Sequence, residues 1–199
     1  MLFRSAQNGY LYVIGGCTNY SSGTCSTTSK KVYYAQIQTN GDVGAWATTT
    51  DFDATTGRYG LAAVAYGDYL YVVGGCTATN SGNCTAYEST VRKAQINSDG
   101  TVGTWSSAGS DFSGARFWHS AAVYNGRLYV LGGCTTMVTG GCTGLRSDVQ
   151  SITINSDGTL NGSWQTTGSF TVPRAAFGTV AYNGYLYVIG GCGQFSATG

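Results

Sequence analysis

The residues of this 199-residue chain whose chemistry is most distinctive are seven cysteines, one histidine and a recurring arginine. Six of the cysteines form three pairs, each separated by eight residues: Cys17 and Cys25, Cys76 and Cys84, Cys134 and Cys142. Zinc sites need four ligands, often with paired cysteines two to four residues apart. The single histidine, His119, is distant in sequence from every pair. The spacing therefore predicts one local disulfide per pair and no metal site.

The seventh cysteine, Cys192, lies where a fourth pair would begin, and the spacing would place its mate at position 200. Cys192 is therefore expected to form no disulfide within this sequence, and the chain is expected to be a segment of a longer array. Disulfides persist in oxidising compartments. The cysteines thus predict an extracellular or cell-surface location, with the periplasm as an alternative.

The arginines recur every 58 residues, as Arg58, Arg116 and Arg174. Because a guanidinium group pairs bidentately with carboxylates, these side chains could form a site for an anion or a sugar acid. The alternative is a salt bridge or a carbonyl cap repeated for architectural reasons. Aromatic residues at positions that do not recur are further binding candidates: Tyr20, Tyr87, Phe117 and Trp118.

The strands and turns that must position these residues are encoded by a sequence repeat. The segment Leu11–Cys17 recurs with small changes at 70–76, 128–134 and 186–192. In each unit an Asn-Gly or Gly-Asp turn precedes this segment, and an Asn-Gly or Asp-Gly turn follows between two further apolar runs; such dipeptides favour tight hairpins. Each complete unit is therefore predicted to be a four-stranded antiparallel sheet.

Identical sheets cannot bury both faces alone, which favours radial packing against one another as blades. The predicted fold is an all-β propeller with about three and a half blades, part of a larger or oligomeric ring. The predicted blades are 1–50, in which residues 3–7 replace an apolar first strand, 51–108, 109–167, and the partial blade 168–199. Trp46, Trp105 and Trp164 recur on the predicted fourth strand, and we expect them to pack against the next blade.

The repeat resembles the kelch motif. An apolar run ends in Gly74-Gly75, an apolar third strand contains Val91, Trp105 follows, and Arg116 opens the next unit. The repeat is longer than the roughly 50 residues usual for kelch, and the extra length lies in the cysteine loop. The resemblance implies a propeller fold and leaves function open. Kelch relatives include galactose oxidase, whose copper site needs histidines that His119 alone cannot supply, and sialic acid mutarotases, which suggest the arginine site.

The composition of the chain argues against two classes of partner, nucleic acids and membranes. The net charge is +1 and charged residues make up 10% of the chain, well below the roughly 25% of an average globular protein. No basic patch for nucleic acid and no apolar segment for membrane insertion is present in the sequence.

No catalytic residues or cofactor are expected from the sequence, so an enzyme is disfavoured but left open. The predicted function is a non-enzymatic extracellular scaffold that binds a protein or glycan through the disulfide-braced loops. Two alternatives remain: an enzyme that acts on sugars or sugar acids with arginines at the channel rim, and a structural element of a surface fibre or layer. Self-association or a longer parent chain would close the ring.

Overall fold

A computed structural model describes residues 3–21, 24–80, 83–138 and 141–193. Within these ranges the chain forms strands and turns but no helix, and none of it could cross a membrane as a helix. The strands build three four-stranded antiparallel sheets, one two-stranded sheet, and two small hairpins that project from the larger sheets.

The first blade has the strand order β1-β2-β5-β6. Residues 3–7, which the sequence marked as an incomplete first strand, form β1 and pair with β2 along five residues. Antiparallel pairing is made by backbone groups, so the polar side chains of this segment do not prevent it. The strands of this blade and its hairpin β3-β4 are β1 (Phe3–Gln7), β2 (Tyr10–Ile14), β3 (Cys17–Ser21), β4 (Thr24–Thr28), β5 (Val32–Gln36) and β6 (Ala47–Thr49).

In the second blade the two central strands are long, because they continue into the cysteine hairpin instead of breaking before it. The strands are β7 (Ala62–Tyr66), β8 (Tyr69–Asn80), β9 (Asn83–Gln95) and β10 (Ser106–Ser107), paired in chain order.

The third blade again has a separate hairpin, β13-β14, and the last sheet has two strands in the described residues. The strands are β11 (Ser120–Tyr124), β12 (Arg127–Cys134), β13 (Met137–Val138), β14 (Gly141–Cys142), β15 (Leu145–Ile154), β16 (Leu160–Thr166), β17 (Gly178–Tyr182) and β18 (Tyr185–Ile189).

The hydrophobic core lies between the sheets, since alternate residues of each second strand point to opposite neighbours. Between the first two blades, Tyr12 and Ile14 pack against Leu70 and Val72. Between the next two, the opposite face of β8 packs against β12. Leu131 and its neighbours fill the third junction. Each blade therefore buries its faces only when a neighbour lies on both sides.

The recurring tryptophans pack in the direction opposite to the one predicted. Trp105 donates a hydrogen bond from Nε1 to the Thr50 carbonyl at 3.1 Å, and Trp164 donates in the same way to Ser110 at 3.0 Å. Each indole thus contacts the segment that connects the preceding blade to its own. The reason is geometric: that segment crosses from the outermost strand of one sheet to the innermost strand of the next.

The innermost strands β1, β7, β11 and β17 line a central channel. Its cavity has a volume of about 610 Å³, and the described lining consists of alanine, valine, serine, threonine, glycine and phenylalanine. The Asn-Gly turns lie at one end of these strands, and the connecting segments with the recurring arginines lie at the other.

Candidate ligand-binding face

The arginines occupy equivalent places at three blade junctions. The backbone carbonyls of Arg58, Arg116 and Arg174 accept hydrogen bonds from the second glycine of the preceding blade, at 2.8 to 3.0 Å. Their Nη1 groups donate to the first glycine carbonyl of their own blade: Gly74 at 3.1 Å, Gly132 at 2.9 Å and Gly190 at 2.8 Å. One residue therefore fastens two consecutive sheets, and this explains why the arginine and the glycine pair recur together.

The glycine pair is required by its conformation. Gly74 and Gly75 have φ angles of 54° and 104°, a region that other residues rarely adopt. The space is also filled, because a Cβ on Gly74 would lie 2.7 Å from the His119 ring. The Gly-Gly step therefore ends the strand where the next blade approaches most closely.

Arg116 is the most deeply buried of the three, with no exposed surface. Its guanidinium group forms a bidentate ion pair with Asp148, with Nη1 and Nη2 at 2.9 and 3.0 Å from the carboxylate oxygens. Burial alone would raise the pKa of Asp148, but hydrogen bonds from Arg116 and Gln150 hold it well below its usual range. The charged form of Asp148 is therefore favoured by its hydrogen-bonded partners.

Arg58 is similarly buried, at 4% exposure, but its carboxylate partner is more distant. Its Nη2 lies 3.8 Å from Asp53, which Arg92 also contacts at 3.3 Å, and its Nη1 donates to Thr90. Arg174 is only partly buried. Arg58 and Arg116 therefore stabilise the interior, and neither guanidinium group lies on the surface. Arg174 is the member of the set that solvent can reach.

The predicted disulfides are formed: Cys17–Cys25, Cys76–Cys84 and Cys134–Cys142. The first cysteine of a pair is also tied to the segment that carries the arginine, since Cys76 exchanges backbone hydrogen bonds with Tyr59, Cys134 with Phe117, and Cys192 with Ala175. The disulfide hairpins and the arginine segments consequently form one continuous layer over the same end of the channel.

Tyr87 joins two of these hairpins. Its hydroxyl donates to the Cys84 carbonyl at 2.9 Å and accepts from the Met137 amide of the next hairpin at 2.7 Å. Its ring lies 5.6 Å from that of Phe117. Tyr87 is therefore a partly buried packing residue that fixes the spacing of the hairpins. Sequence reasoning missed Met137, for which no local signal exists.

Trp118 departs from the repeat at the channel mouth. It occupies the place of Gly60 and Ala176, and the three residues share positive φ angles of 61°, 54° and 58° in chain order. The Trp118 amide donates to the Gly60 carbonyl at 2.7 Å, and the Ala176 amide donates to the Trp118 carbonyl at 2.8 Å. Ala176 and Ser120 line the channel cavity, and Trp118, two residues before Ser120 and hydrogen-bonded to Ala176, lies beside it without being one of the lining residues.

The Trp118 indole is partly exposed and rests on buried neighbours. Its ring centroid lies 4.4 Å from that of Phe117, which is fully buried, and a Cβ on Gly60 would lie 2.9 Å from its Cδ1 atom. A bulky residue with positive φ is a conformational outlier, and such strain of about 1 to 3 kcal/mol is concentrated at functional sites. The sequence identifies Trp118 as an aromatic residue that does not recur, but it gives no sign of the positive φ.

The structure thus brings Tyr87, Phe117 and Trp118 together at the channel mouth, beside the braced arginines. The side chain of Tyr20 lies outside the described residues. Among the residues that the structure describes, no three histidine, cysteine or acidic side chains form a group that could hold a metal ion.

Comparison with known proteins identifies the fold and nothing finer. No protein-family model matches the chain, and no curated protein matches it significantly. Many solved structures do match. One is the structure of YjhT, with a TM-score of 0.66 and 16% sequence identity over 94% of this chain. The present chain spans 57% of the length of that chain.

The fold is a kelch-type β-propeller. The strand order within each sheet, the sheets arranged around a channel and the likeness to YjhT agree on this assignment. The three disulfides indicate an oxidising environment outside the cytoplasm.

Proposed function

We propose that this chain is a non-enzymatic, extracellular or cell-surface propeller that binds a glycan at the channel mouth on its disulfide-braced face. The observation that carries the proposal is Trp118, an indole held in a strained conformation at the rim, where the neighbouring blades have glycine and alanine. Architecture accounts for the residues that recur in every blade, but it does not account for this one.

The surroundings of Trp118 suit a neutral, hydroxyl-rich ligand. An indole presents a flat apolar face and an N–H donor, a combination that packs against sugar rings while tolerating water at one edge. Phe117 supports the ring from below. The channel beyond it is lined by small apolar and hydroxyl side chains, and the hairpins around it are rich in threonine, serine and asparagine.

A rigid frame lowers the cost of recognition. Loops on a fixed scaffold carry binding residues well because little conformational freedom is lost when a ligand binds. Here the disulfides, the Tyr87 bridge and the arginine braces fix the face before any ligand arrives.

The alternative function, an enzyme acting on sugar acids through rim arginines, needs guanidinium groups that a substrate can reach. Arg116 and Arg58 are buried at 0% and 4% exposure, and Arg116 is already bound to Asp148. Arg174 is partly exposed, so a substrate could reach a single guanidinium group of the three. This geometry favours the binding function.

The test is a glycan array probed with the oxidised protein, followed by titration of each hit against a Trp118→Gly variant. Gly60 occupies the same place in the preceding blade, so the variant keeps an allowed backbone and is expected to fold. We expect glycan affinity to fall by about 30-fold, as for a tryptophan hot spot.

The matched control is Tyr124→Ala, which removes an aromatic side chain of 39% exposure at the opposite end of β11. It should bind like the wild type. An array without hits, or equal losses in the two variants, would contradict the proposed site, and binding of a protein ligand alone would contradict the glycan assignment.

A further inference from the structure

The two outermost sheets expose the same kinds of faces that the inner junctions bury. On the first blade, the face that points away from the second blade is called here the leading face: Leu11, Val13, Tyr33, Val43 and Trp46. On the last described sheet, the face that points away from the third blade is called the trailing face: Val180, Tyr182, Tyr185, Tyr187 and Ile189. The assignment of residues to faces follows from the alternation of side chains along each strand.

The exposure of these faces is large. On the trailing face, Tyr187 is 44% and Ile189 is 61% exposed, whereas their equivalents Tyr71 and Val73 at the inner junction are fully buried. On the leading face, Val43 is 45% exposed, whereas its equivalent Val102 is 2% exposed. Contiguous apolar patches of this kind mark interaction surfaces.

The inner junctions show what fits a trailing face. At the first junction the Tyr12 hydroxyl donates to the Gly100 carbonyl at 2.9 Å, and a Cβ on Gly100 would collide with the Tyr10 ring. At the second junction Tyr71 donates to Gly158 at 2.9 Å, and Tyr69 presses on the same glycine. Two tyrosines of one blade therefore clasp the glycine of a turn in the next blade.

The two parts of this contact, the tyrosine pair and the turn glycine, are both present at the outer faces. Tyr185 and Tyr187 repeat the tyrosine pair on the last sheet, with the first of them 67% exposed. Gly41 repeats the turn glycine on the first blade, with the same positive φ, and it has no atom within 4 Å of the place where a Cβ would lie.

We propose that the trailing face of one copy of this chain binds the leading face of a second copy, with Tyr187 donating a hydrogen bond to the Gly41 carbonyl and Tyr185 packing on that turn. The contact continues the established blade-to-blade interface from one copy to the next. It is heterologous, so it closes a ring or extends as a chain of copies.

The number of sheets agrees with closure by two copies. Apart from the two hairpins, the described residues of each chain form three sheets of four strands and one of two strands. Two copies therefore supply eight sheets, which is within the range of roughly four to eight blades seen in propellers.

The experiment measures the mass of the oxidised 199-residue chain by sedimentation equilibrium across the micromolar range. The wild type is expected to form dimers or longer assemblies. Ile189→Arg on the trailing face and Val43→Arg on the leading face should each weaken self-association by about 100-fold, because a buried interface would have to accept an unpaired charge.

Mixing these two variants tests the direction of the contact. Each variant has one intact face, and the two intact faces are complementary, so the mixture should form a one-to-one dimer although each variant alone is a monomer. The control is Val138→Arg, which alters an equally exposed valine on a hairpin and should assemble like the wild type.

Circular dichroism and intact disulfides in each variant establish folding. A wild type that is a folded 20.7 kDa monomer throughout the range would overturn the proposal. So would a mixture that fails to associate, or a Val138→Arg variant that loses assembly as fully as the other two.

Discussion

The third blade and the last sheet begin with the same arrangement but place it in different surroundings. Arg116 and Arg174 both donate to the first glycine of their own blade, at 2.9 and 2.8 Å. Yet Arg116 has no exposed surface and binds Asp148, whereas Arg174 is partly exposed. Tyr71 and Tyr187 show the same contrast at the second strand, with exposures of 0% and 44%.

The difference teaches that equivalent residues are buried by partners distant in the sequence: Asp148 on the third strand of the same blade covers Arg116, and the next blade covers Tyr71. The repeat can therefore look uniform along the chain although the energetic importance of equivalent residues differs greatly. Comparing equivalent substitutions in the two places measures how much stability each neighbour contributes.

The largest contrast is expected for the arginines. Arg116→Ala should lower the free energy of unfolding by about 3 kcal/mol, because it leaves Asp148 and the Gly132 carbonyl buried without their main donor. Arg174→Ala should cost less than about 1 kcal/mol, since water can replace a partly exposed guanidinium group. Urea denaturation of the two variants measures both decreases in the free energy of unfolding. Equal decreases would contradict the conclusion that burial makes Arg116 the more important residue.

The next contrast concerns pH and compares His119 with its equivalent in the last sheet, Phe177. Burial and the nearby charge of Arg116 lower the pKa of His119 to about 3. The folded protein therefore leaves His119 unprotonated while the unfolded chain gains a proton below about pH 6.5, so stability falls as the pH falls between these values.

Replacing His119 with phenylalanine should remove this dependence. As the pH falls from about 5.5 to 3.5, the free energy of unfolding of the wild type should decrease by up to about 1.4 kcal/mol per pH unit more than that of His119→Phe. Thermal unfolding of both proteins at a series of pH values measures the difference. Parallel pH profiles would show that His119 is protonated in the folded state.

The smallest contrast concerns single hydroxyl groups. Tyr71→Phe removes a buried hydrogen bond to Gly158 and should cost about 1 kcal/mol or slightly more, because the carbonyl is left unsatisfied. Tyr187→Phe should leave the stability of an isolated chain unchanged. The stability of Tyr187→Phe should be measured at low and at high protein concentration. A loss of stability seen only at high concentration would indicate that the Tyr187 hydroxyl takes part in the contact between copies.

Features encoded by nearby residues could be predicted from the sequence. The disulfides depend on cysteines eight residues apart, the inner hairpins depend on Asn-Gly turns, and the repeat reveals the propeller. The disulfides and hairpins form between residues that the chain already holds close together, and the propeller follows from the repetition of the same unit, so spacing and repetition are sufficient to predict them.

Features that depend on residues distant in the sequence could not be predicted in the same way. The burial of Arg116 depends on Asp148, 32 residues away in the sequence, and the direction in which Trp105 packs depends on the path of the connecting segment. Trp118 was recognised as irregular, but its positive φ arises from a backbone ladder that links three blades. Only the assembled sheets bring these groups together.

The local closure of each disulfide also bears on how the protein matures. Native partners are separated by 8 residues, whereas the shortest wrong separation between cysteines of different pairs, that of Cys84 and Cys134, is 50 residues. Loop-closure entropy favours the shorter connection by about 16-fold in an unfolded chain. Oxidation can therefore select the native partners while the chain emerges into an oxidising compartment, before any blade has found its neighbour.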